Sequence, residues 1–268
     1  SIPGDISSQY VSALMMIGPY LPEGIRLQLT SPLVSRPYVA ITASVMSSFS
    51  ATGIAIGDHT IGVESSGYIG TTYDIESDAS SASYPLAAAA IAGGSVKVLG
   101  VGDRALQGDA AFIEVLESMG CTTRTTDRSL EVTSSGSLHG IEIDMADMSD
   151  LVPTLAVVAV FADSPTRITG VGFIRHKESD RIGDLVNGLK KVGCDAVEED
   201  DGILIRPVHE SQMHGAELST HDDHRLAMAW SLLALRISGI VIDDPEVVSK
   251  SWPEWWDVRS SLLVVAAK

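Results

Sequence analysis

Residues 149–162 read SDLVPTLAVVAVFA, a polar pair followed by an almost entirely apolar stretch. A helix that is apolar all round is buried, and a membrane-spanning helix needs about 20 such residues. This stretch therefore predicts a helix inside the core of a globular protein. Ser or Asp at a helix start accepts a hydrogen bond from a free backbone amide of the first turn, so we expect Asp150 to be the N-cap.

The same pattern of a polar start, an apolar helix and a short strand occurs four times, which indicates an internal repeat. The equivalent starting residues, separated by 73, 69 and 73 positions, are Ser8, Ser81, Asp150 and Asp223. The predicted first helices are Tyr10–Ile17, Tyr84–Ala92, Leu151–Ala162 and Leu226–Leu235. The strands predicted after them are Ile25–Leu29, Ser95–Leu99, Thr166–Thr169 and Ile240–Asp243.

A second helix and a hairpin complete each predicted unit, in the order helix, strand, helix, strand, strand. The second helices are predicted at Arg36–Phe49, Gly108–Met119, Lys177–Val192 and roughly Pro253–Leu263. The hairpins are predicted at Gly53–Glu64, Cys121–Thr133 and Cys194–Pro207, and the fourth unit has none. Apolar helices and small sheets must cover one another, so we expect an α/β fold with internal helices. We predict two domains, residues 1–77 and 78–268, joined near Tyr73–Asp78.

The composition excludes several classes of function. A net charge of −17 over 268 residues repels phosphate backbones and anionic lipid, so we expect no nucleic-acid or membrane partner. Cys121 and Cys194 are too far apart in sequence for a zinc cluster and too few for a disulfide framework. We therefore expect a reducing, cytoplasmic setting. Because the sequence opens with Ser1, we also expect a processed chain or a fragment.

The first group of candidate anion-binding residues is His176–Arg181, at the start of the predicted third-unit helix. Lys177 and Arg181 are four residues apart and share one face of a helix if both are helical. Cations are unfavourable at a helix start, whereas the free amides there bind phosphate or carboxylate. We interpret this run as an anion site. The alternative is a solvated run in which Glu178 and Asp180 neutralise the cations.

A second group, His221–Arg225, lies at the next helix start, and Lys250 follows Lys177 at a distance of 73 residues. One alternative for the second group is a helix cap with an incidental Arg. A metal site is disfavoured, because adjacent residues rarely converge on one ion. We predict that Lys177, Arg181, Arg225 and Lys250 converge on one cleft.

At these residues the sequence resembles the EPSP synthase family over essentially the whole chain. Each motif is weak alone, but seven occur in the family's order and spacing. They are Ser7-Ser8-Gln9, Leu33–Tyr38, Asp78–Tyr84, Gln107-Gly108-Asp109, Lys177–Arg181, Asp223–Met228 and Lys250–Pro253. The resemblance implies an inside-out enolpyruvyl-transferase assembly of repeated βαβαββ units in two domains, the first one incomplete here. It also implies transfer of the enolpyruvyl group of phosphoenolpyruvate to the 5-hydroxyl of shikimate 3-phosphate, without metal or other cofactor.

The resemblance further implies roles for individual residues. Catalytic roles fall on Asp150 beside the reacting hydroxyl, Glu178 in proton transfer and Lys177 between both substrates. The residues implied for shikimate 3-phosphate are Ser7, Ser8, Gln9, Ser35, Tyr38, Asp150 and Lys177. The residues implied for phosphoenolpyruvate are Gln9, Arg181, His224, Arg225 and Lys250. Fixed cations of this kind stabilise charge that develops in a tetrahedral intermediate.

Two departures from the family pattern stand out. Phe173 replaces an Asn that many members carry four residues before the Lys. The family's N-terminal Lys-Ser pair, Gly-rich loop and further Arg have no counterpart in this sequence. We therefore expect an N-terminal complementary half as a partner and no activity from the isolated chain. Two alternatives are an enolpyruvyl transferase that uses another hydroxyl acceptor, and a non-catalytic binding protein that keeps the fold.

Overall fold

The computed structural model describes residues 1–265, in which two compact units can be distinguished. The first contains Ser1–Glu76 with Leu106–Gly108. The second contains Ser77–Ala105 and the described residues from Asp109 onward. Within residues 1–265, no helix has the length and apolar character needed to cross a bilayer.

The first unit packs two helices on a small antiparallel sheet. Its elements are α1 (Ser8–Ile17), β1 (Ile25–Gln28), α2 (Arg36–Ser48), β2 (Ala55–Ile56) and β3 (Thr60–Val63). The sheet order is β1–β3–β2. Val11 and Met15 of α1, Val39 of α2 and Ile61 of β3 are fully buried together. One repeat unit therefore has an apolar core of its own.

The second unit contains the remaining elements. Its helices are α3 (Ala79–Ala92), α4 (Phe112–Ser118), α5 (Val152–Ala159), α6 (Arg181–Lys191), α7 (His224–Leu233) and α8 (Trp255–Val265). Its first strands are β4 (Gly94–Leu99), β5 (Thr122–Thr126), β6 (Ser129–Ser134), β7 (Glu142–Asp144) and β8 (Thr166–Thr169). The last are β9 (Asp195–Glu199), β10 (Gly202–Arg206), β11 (Glu217–Leu218) and β12 (Val241–Ile242).

The centre of the second unit is helical. Helices α3, α5 and α7 pack against one another, and every residue of α5 is buried. Three small sheets, ordered β4–β6–β5, β7–β8–β10–β9 and β11–β12, belong to the three repeats around them. A helix with no polar face is stable only when neighbours cover all of it. The prediction of an α/β assembly with internal helices is confirmed.

The leading strand of the repeats was absent from the unit predicted by the sequence pattern, although the family resemblance implied it. β7 pairs in parallel with β8, and β11 pairs in parallel with β12. In the first unit, Ile2 makes an isolated parallel bridge to Leu29. Segments of two or three residues are too short for an alternating pattern to reveal them. With these strands the third repeat has the order βαβαββ.

Three predicted helix caps are wrong, and the first of them is Ser8, which lies inside α1 because Ser7 is the cap. Asp150 lies inside a 3-10 helix, Ala146–Leu151, and α5 begins after it without a side-chain cap. The cap of α3 is Asp78, whose side chain accepts from the backbone N–H of Ser80, so Ser81 is inside the helix. Asp223 does cap α7. A free Asp150 carboxylate is thus available for other contacts.

The predicted helical position of Lys177 is also wrong. A 3-10 helix ends at His176, and α6 begins only at Arg181, with Asp180 as its N-cap. Asp180 ends the intervening loop because its carboxylate accepts from the backbone N–H of Gly183. Lys177 and Arg181 therefore do not share a helical face. They approach the same carboxylate from a loop and from a helix start.

Candidate functional site

Arg181 lies at the centre of a buried ion-pair network in the second unit. Its side chain is 1% exposed. Its Nε donates to Asp223 Oδ2 at 2.7 Å and one terminal nitrogen donates to Asp150 Oδ1 at 2.9 Å. The other terminal nitrogen donates to Glu178 Oε2 at 2.7 Å. Three carboxylates thus use the rigid fork of one guanidinium, which fixes its plane.

Asp150 accepts from three cations. Lys177 Nζ and Arg181 lie 2.6 and 2.9 Å from Oδ1, and Arg225 lies 2.8 Å from Oδ2. Burial raises the pKa of Asp150, but Arg225, Lys177 and Arg181 together lower it far more. The carboxylate is therefore ionised at every physiological pH, at the meeting point of the loop before α6, α6 itself and α7.

Glu178 and Lys250 form the more open side of the network. Lys250 Nζ donates to Glu178 Oε1 at 3.3 Å, with side chains 52% and 29% exposed. Burial raises the pKa of Glu178, and Arg181, a backbone hydrogen bond and Lys250 bring it below its usual value. Among the described residues, the network joins four cations to three carboxylates. It is thus locally positive on a strongly acidic chain.

Asp223 belongs to the same network, although the sequence indicated only a helix cap at this position. Its side chain is fully buried. One oxygen accepts from the backbone N–H of Arg225 at 2.9 Å, and the other accepts from Arg181. Asp223 thereby ties the start of α7 to the start of α6. Spacing alone does not reveal this second role, because it depends on a partner 42 residues away.

Two further buried groups face the same cations. His224 is buried, and burial followed by the charge of Arg225 lowers its pKa, so the imidazole is neutral near pH 7. Within residues 1–265, its Nδ1 has no hydrogen-bond partner. Burial raises the pKa of Tyr84 to about 12 against the opposing charge of Arg225. Tyr84 was predicted only as a residue of the first helix in its repeat.

Phe173, which stands where many family members carry Asn, contacts Lys177 through its ring. The Lys177 Nζ lies 5.8 Å from the centre of the Phe173 ring, within the range of a cation–π interaction. An Asn there would offer hydrogen bonds instead of an aromatic face. The departure from the family pattern thus changes how Lys177 is held on one side.

The other predicted site residues lie in the first unit. Ser7 caps α1 by accepting from the backbone N–H of Gln9 at 3.2 Å, and Ser8 is buried. Ser35 precedes α2 in the left-handed region, with φ 52°. Tyr38 lies in the first turn of α2 and is half-buried. Their assignment to shikimate 3-phosphate stays a prediction.

Within residues 1–265, His221 and His224 belong to no cluster of metal-ligating side chains. Over residues 1–265, no three His, Cys, Asp or Glu side chains gather in a way that would hold an ion. His221 contacts Asp184 of α6 at 3.4 Å. The predicted anion-binding cations lie instead in the network around Asp150.

Comparisons with known proteins agree with the fold and with the motifs. The family model for EPSP synthase (3-phosphoshikimate 1-carboxyvinyltransferase) matches residues 1–258. A 3-phosphoshikimate 1-carboxyvinyltransferase of Methanoculleus marisnigri is 43% identical over 258 residues, which are 96% of this chain and 60% of that protein. The one from Nostoc punctiforme is 41% identical over 251 residues, 93% of this chain and 58% of that protein.

Solved structures give the same result. The EPSP synthase of Acinetobacter baumannii has a TM-score of 0.76 at 27% identity, over 96% of this chain and 60% of that one. The enolpyruvyl transferase NikO of Streptomyces tendae has a TM-score of 0.75 at 18% identity, a likeness of fold alone. The chain spans about 60% of the length of these relatives.

Proposed function

Because the chain belongs to the EPSP synthase family, we propose that it supplies the phosphoenolpyruvate cations and the acid–base carboxylates of a 3-phosphoshikimate 1-carboxyvinyltransferase. The observation that carries the proposal is the buried Arg181, joined to Asp150, Glu178 and Asp223. A guanidinium held by three carboxylates keeps its orientation, and orientation is what recognition of a dianion requires. The activity would belong to a longer or assembled protein.

In this proposal the cations hold phosphoenolpyruvate by its phosphate and carboxylate groups. The 5-hydroxyl oxygen of shikimate 3-phosphate forms a bond to the central carbon, while the methylene carbon gains a proton. The tetrahedral intermediate then loses phosphate, and the methyl group returns a proton as the double bond forms again. Arg181, Arg225 and Lys250 stabilise the charge that develops.

Asp150 and Glu178 take the two proton-transfer roles. Asp150 would accept the hydroxyl proton, and Glu178 would serve the methylene carbon. The two carboxylates differ in environment, since Asp150 is 17% exposed with three cations and Glu178 is 29% exposed with two. Groups with different surroundings can hold different protonation states at one pH. Lys177 would contact both substrates, and neutral His224 would donate or accept a hydrogen bond beside them.

Ser7, Ser8, Gln9, Ser35 and Tyr38 would bind shikimate 3-phosphate from the first unit. Ser7 and Ser35 immediately precede helices, where free backbone amides favour a phosphate group. The first turn of α1 has no charged residue, and α2 begins with only one cation, Arg36, which is exposed and paired with Asp58. The first unit would therefore contribute mainly hydrogen-bond donors, and the second unit would contribute most of the charge.

A complementary segment from the remaining length of the family is the proposed partner. Strand β8 has β7 on one side and β10 on the other, whereas β12 pairs only with β11 among the described residues. A cavity of about 410 Å³ lies beside β12, lined in part by Ile242, Trp256 and Arg259. Extended segments add readily to such a sheet edge. A cytoplasmic setting for the assembled protein also stays a prediction.

The test is a steady-state assay of phosphate release. The chain is assayed alone, and then with an N-terminal complement taken from the Methanoculleus marisnigri relative. We expect release only with both polypeptides, phosphoenolpyruvate and shikimate 3-phosphate. Phosphate release from the chain alone would contradict the need for a complement. Release with another hydroxyl compound in place of shikimate 3-phosphate would assign a different acceptor.

A further inference from the structure

Asp150 makes the same kind of contacts that a bound phosphate would make. Its two oxygens receive hydrogen bonds from Lys177, Arg181 and Arg225 at 2.6, 2.9 and 2.8 Å. Distances in this range are those of strong charge-assisted hydrogen bonds. An anionic ligand that uses these nitrogen atoms must therefore share them with Asp150 or take them from it.

The two main counterions of Arg181 are held in different ways. Asp223 is fully buried and accepts from the backbone N–H of Arg225, so it cannot withdraw without opening the start of α7. Asp150 is 17% exposed. It lies in a 3-10 helix that contains a kink, since Met148 has φ −135° and ψ 40°. Asp223 is thus a fixed support, and Asp150 is the carboxylate free to exchange its partners.

We propose that Asp150 is an internal competitor of the anionic ligand for Lys177 and Arg225. This inference rests on the proposed function, because it takes the network to be the phosphoenolpyruvate site. Arg181 keeps Asp223 and Glu178 throughout, so only two of the four cations change partner. A ligand that draws Lys177 and Arg225 away leaves Asp150 with a single cation.

This exchange gives Asp150 a route from counterion to proton acceptor. With three cations around it, the pKa of Asp150 lies far below its usual range, which makes it a weak base. Loss of two cations raises the pKa, since an opposite charge within about 4–6 Å favours the ionised form. By thermodynamic reciprocity, whatever weakens the ionised form of Asp150 also tightens the ligand. The base thereby becomes competent only after the anion is bound.

The experiment measures sulfate binding to the 268-residue chain by calorimetry. Sulfate is a tetrahedral dianion that does not titrate at neutral pH. We expect Asp150→Asn to bind sulfate about tenfold more tightly than the unchanged chain, within the range usual for coupled sites. The matched control is Asp147→Asn, an exposed carboxylate in the same 3-10 helix, which makes the same change in net charge. It should leave the affinity within about twofold.

Unchanged or weaker sulfate binding by Asp150→Asn would overturn the proposal. It would show that Asp150 only positions the cations. Equal tightening by Asp147→Asn would also overturn it, since a general charge effect would then suffice. The proposal would also be overturned if neither the unchanged chain nor Asp150→Asn bound sulfate.

A second measurement covers the case in which Asp150→Asn does not fold. Sulfate binding to the unchanged chain is measured at about pH 4, where a carboxyl of ordinary pKa is roughly half protonated, in two buffers that differ in ionisation enthalpy. We expect proton uptake on binding, because the pKa of Asp150 rises toward its ordinary value of about 3.9 or higher. Glu178 also faces Arg181 and Lys250, so the uptake is repeated with Glu178→Gln and should persist. Binding with no uptake would count against the exchange.

The proposed function is tested by a different measurement, the binding of phosphoenolpyruvate to the assembled protein. Phosphoenolpyruvate that fails to bind the assembled protein would refute that function. The sulfate results would still decide whether Asp150 competes with anions.

Discussion

The helix starts of the two units differ in how much charge they carry and how deeply it is buried. In the first unit, the first turn of α1 has no charged residue, and α2 begins with a single cation, Arg36, which is exposed and pairs with Asp58. In the second unit, Arg181 begins α6 and Arg225 lies in the first turn of α7, each with an Asp at the N-cap. Helix starts disfavour cations. The second unit keeps its cations there only by surrounding them with carboxylates.

This difference shows how an acidic protein can bind an anion. A chain with net charge −17 cannot attract phosphoenolpyruvate by its overall field. It can do so locally if cations are buried with slightly fewer carboxylates, so that the balance at the site is positive. In the first unit, the start of α1 provides donors without adding charge, and the start of α2 adds only one exposed cation. The two kinds of helix start would then select two different ligands.

The largest expected effect is that of Arg181→Ala. The change leaves the buried carboxylate of Asp223 and its neighbour Asp150 without their shared cation. Breaking a buried ion pair by removing one partner costs about 3–5 kcal/mol, and phosphoenolpyruvate binding should be lost with it. Urea unfolding of the chain measures the first effect.

The control for Arg181→Ala is Arg206→Ala, an exposed pair with Asp195. An exposed pair contributes about 0–1 kcal/mol. If both variants lose the same free energy of unfolding, the network around Arg181 is no more than a surface feature, and the contrast between the two units disappears.

Glu178→Gln should have a smaller and more selective effect. The amide keeps the shape and can still accept from Arg181, but it no longer transfers a proton. Turnover of the assembled enzyme should fall by about a hundredfold or more, with a much smaller change in the KM for either substrate. Exposed Glu254→Gln serves as the matched control. A change confined to KM would assign Glu178 to binding instead of proton transfer.

The smallest expected effect is that of Ser7→Ala in the first unit. It removes the side-chain oxygen that accepts from the backbone N–H of Gln9. Loss of such a cap costs about 1 kcal/mol. Ser7→Asp keeps the cap but places a negative charge where shikimate 3-phosphate is proposed to bind. Restored stability together with lost affinity for that ligand would separate the two roles, and restored affinity would refute the ligand assignment.

Most of the fold could be predicted from the sequence, because each repeat contains a run of apolar residues that must be buried. The almost entirely apolar stretch 151–162 and its three counterparts predicted internal helices. The strands β7 and β11 escaped prediction because two or three residues carry no period. The helical position predicted for Lys177 was wrong. Asp180 caps α6, so the helix begins only at Arg181.

The site could be predicted as a set of residue types but not as a network. Family motifs pointed to Lys177, Arg181, Arg225 and Lys250, whose contacts with carboxylates depend on tertiary structure. The second role of Asp223 and the burial of Tyr84 beside Arg225 required coordinates. Asp150 was expected to be a cap because of the general rule that Asp is favoured at the N-cap of a helix. Three cations override that rule, since ion pairing of a buried carboxylate outweighs one capping bond.

The most direct test of the division between the two units is a pair of phosphorus NMR titrations of the assembled protein, one with phosphoenolpyruvate and one with shikimate 3-phosphate. The two ligands are titrated in separate samples, because together they would be consumed by the proposed reaction. We predict that Arg225→Ala abolishes the shift of the phosphoenolpyruvate signal and keeps that of shikimate 3-phosphate, and that Ser7→Asp does the reverse. Loss of the same signal in both variants would contradict the account.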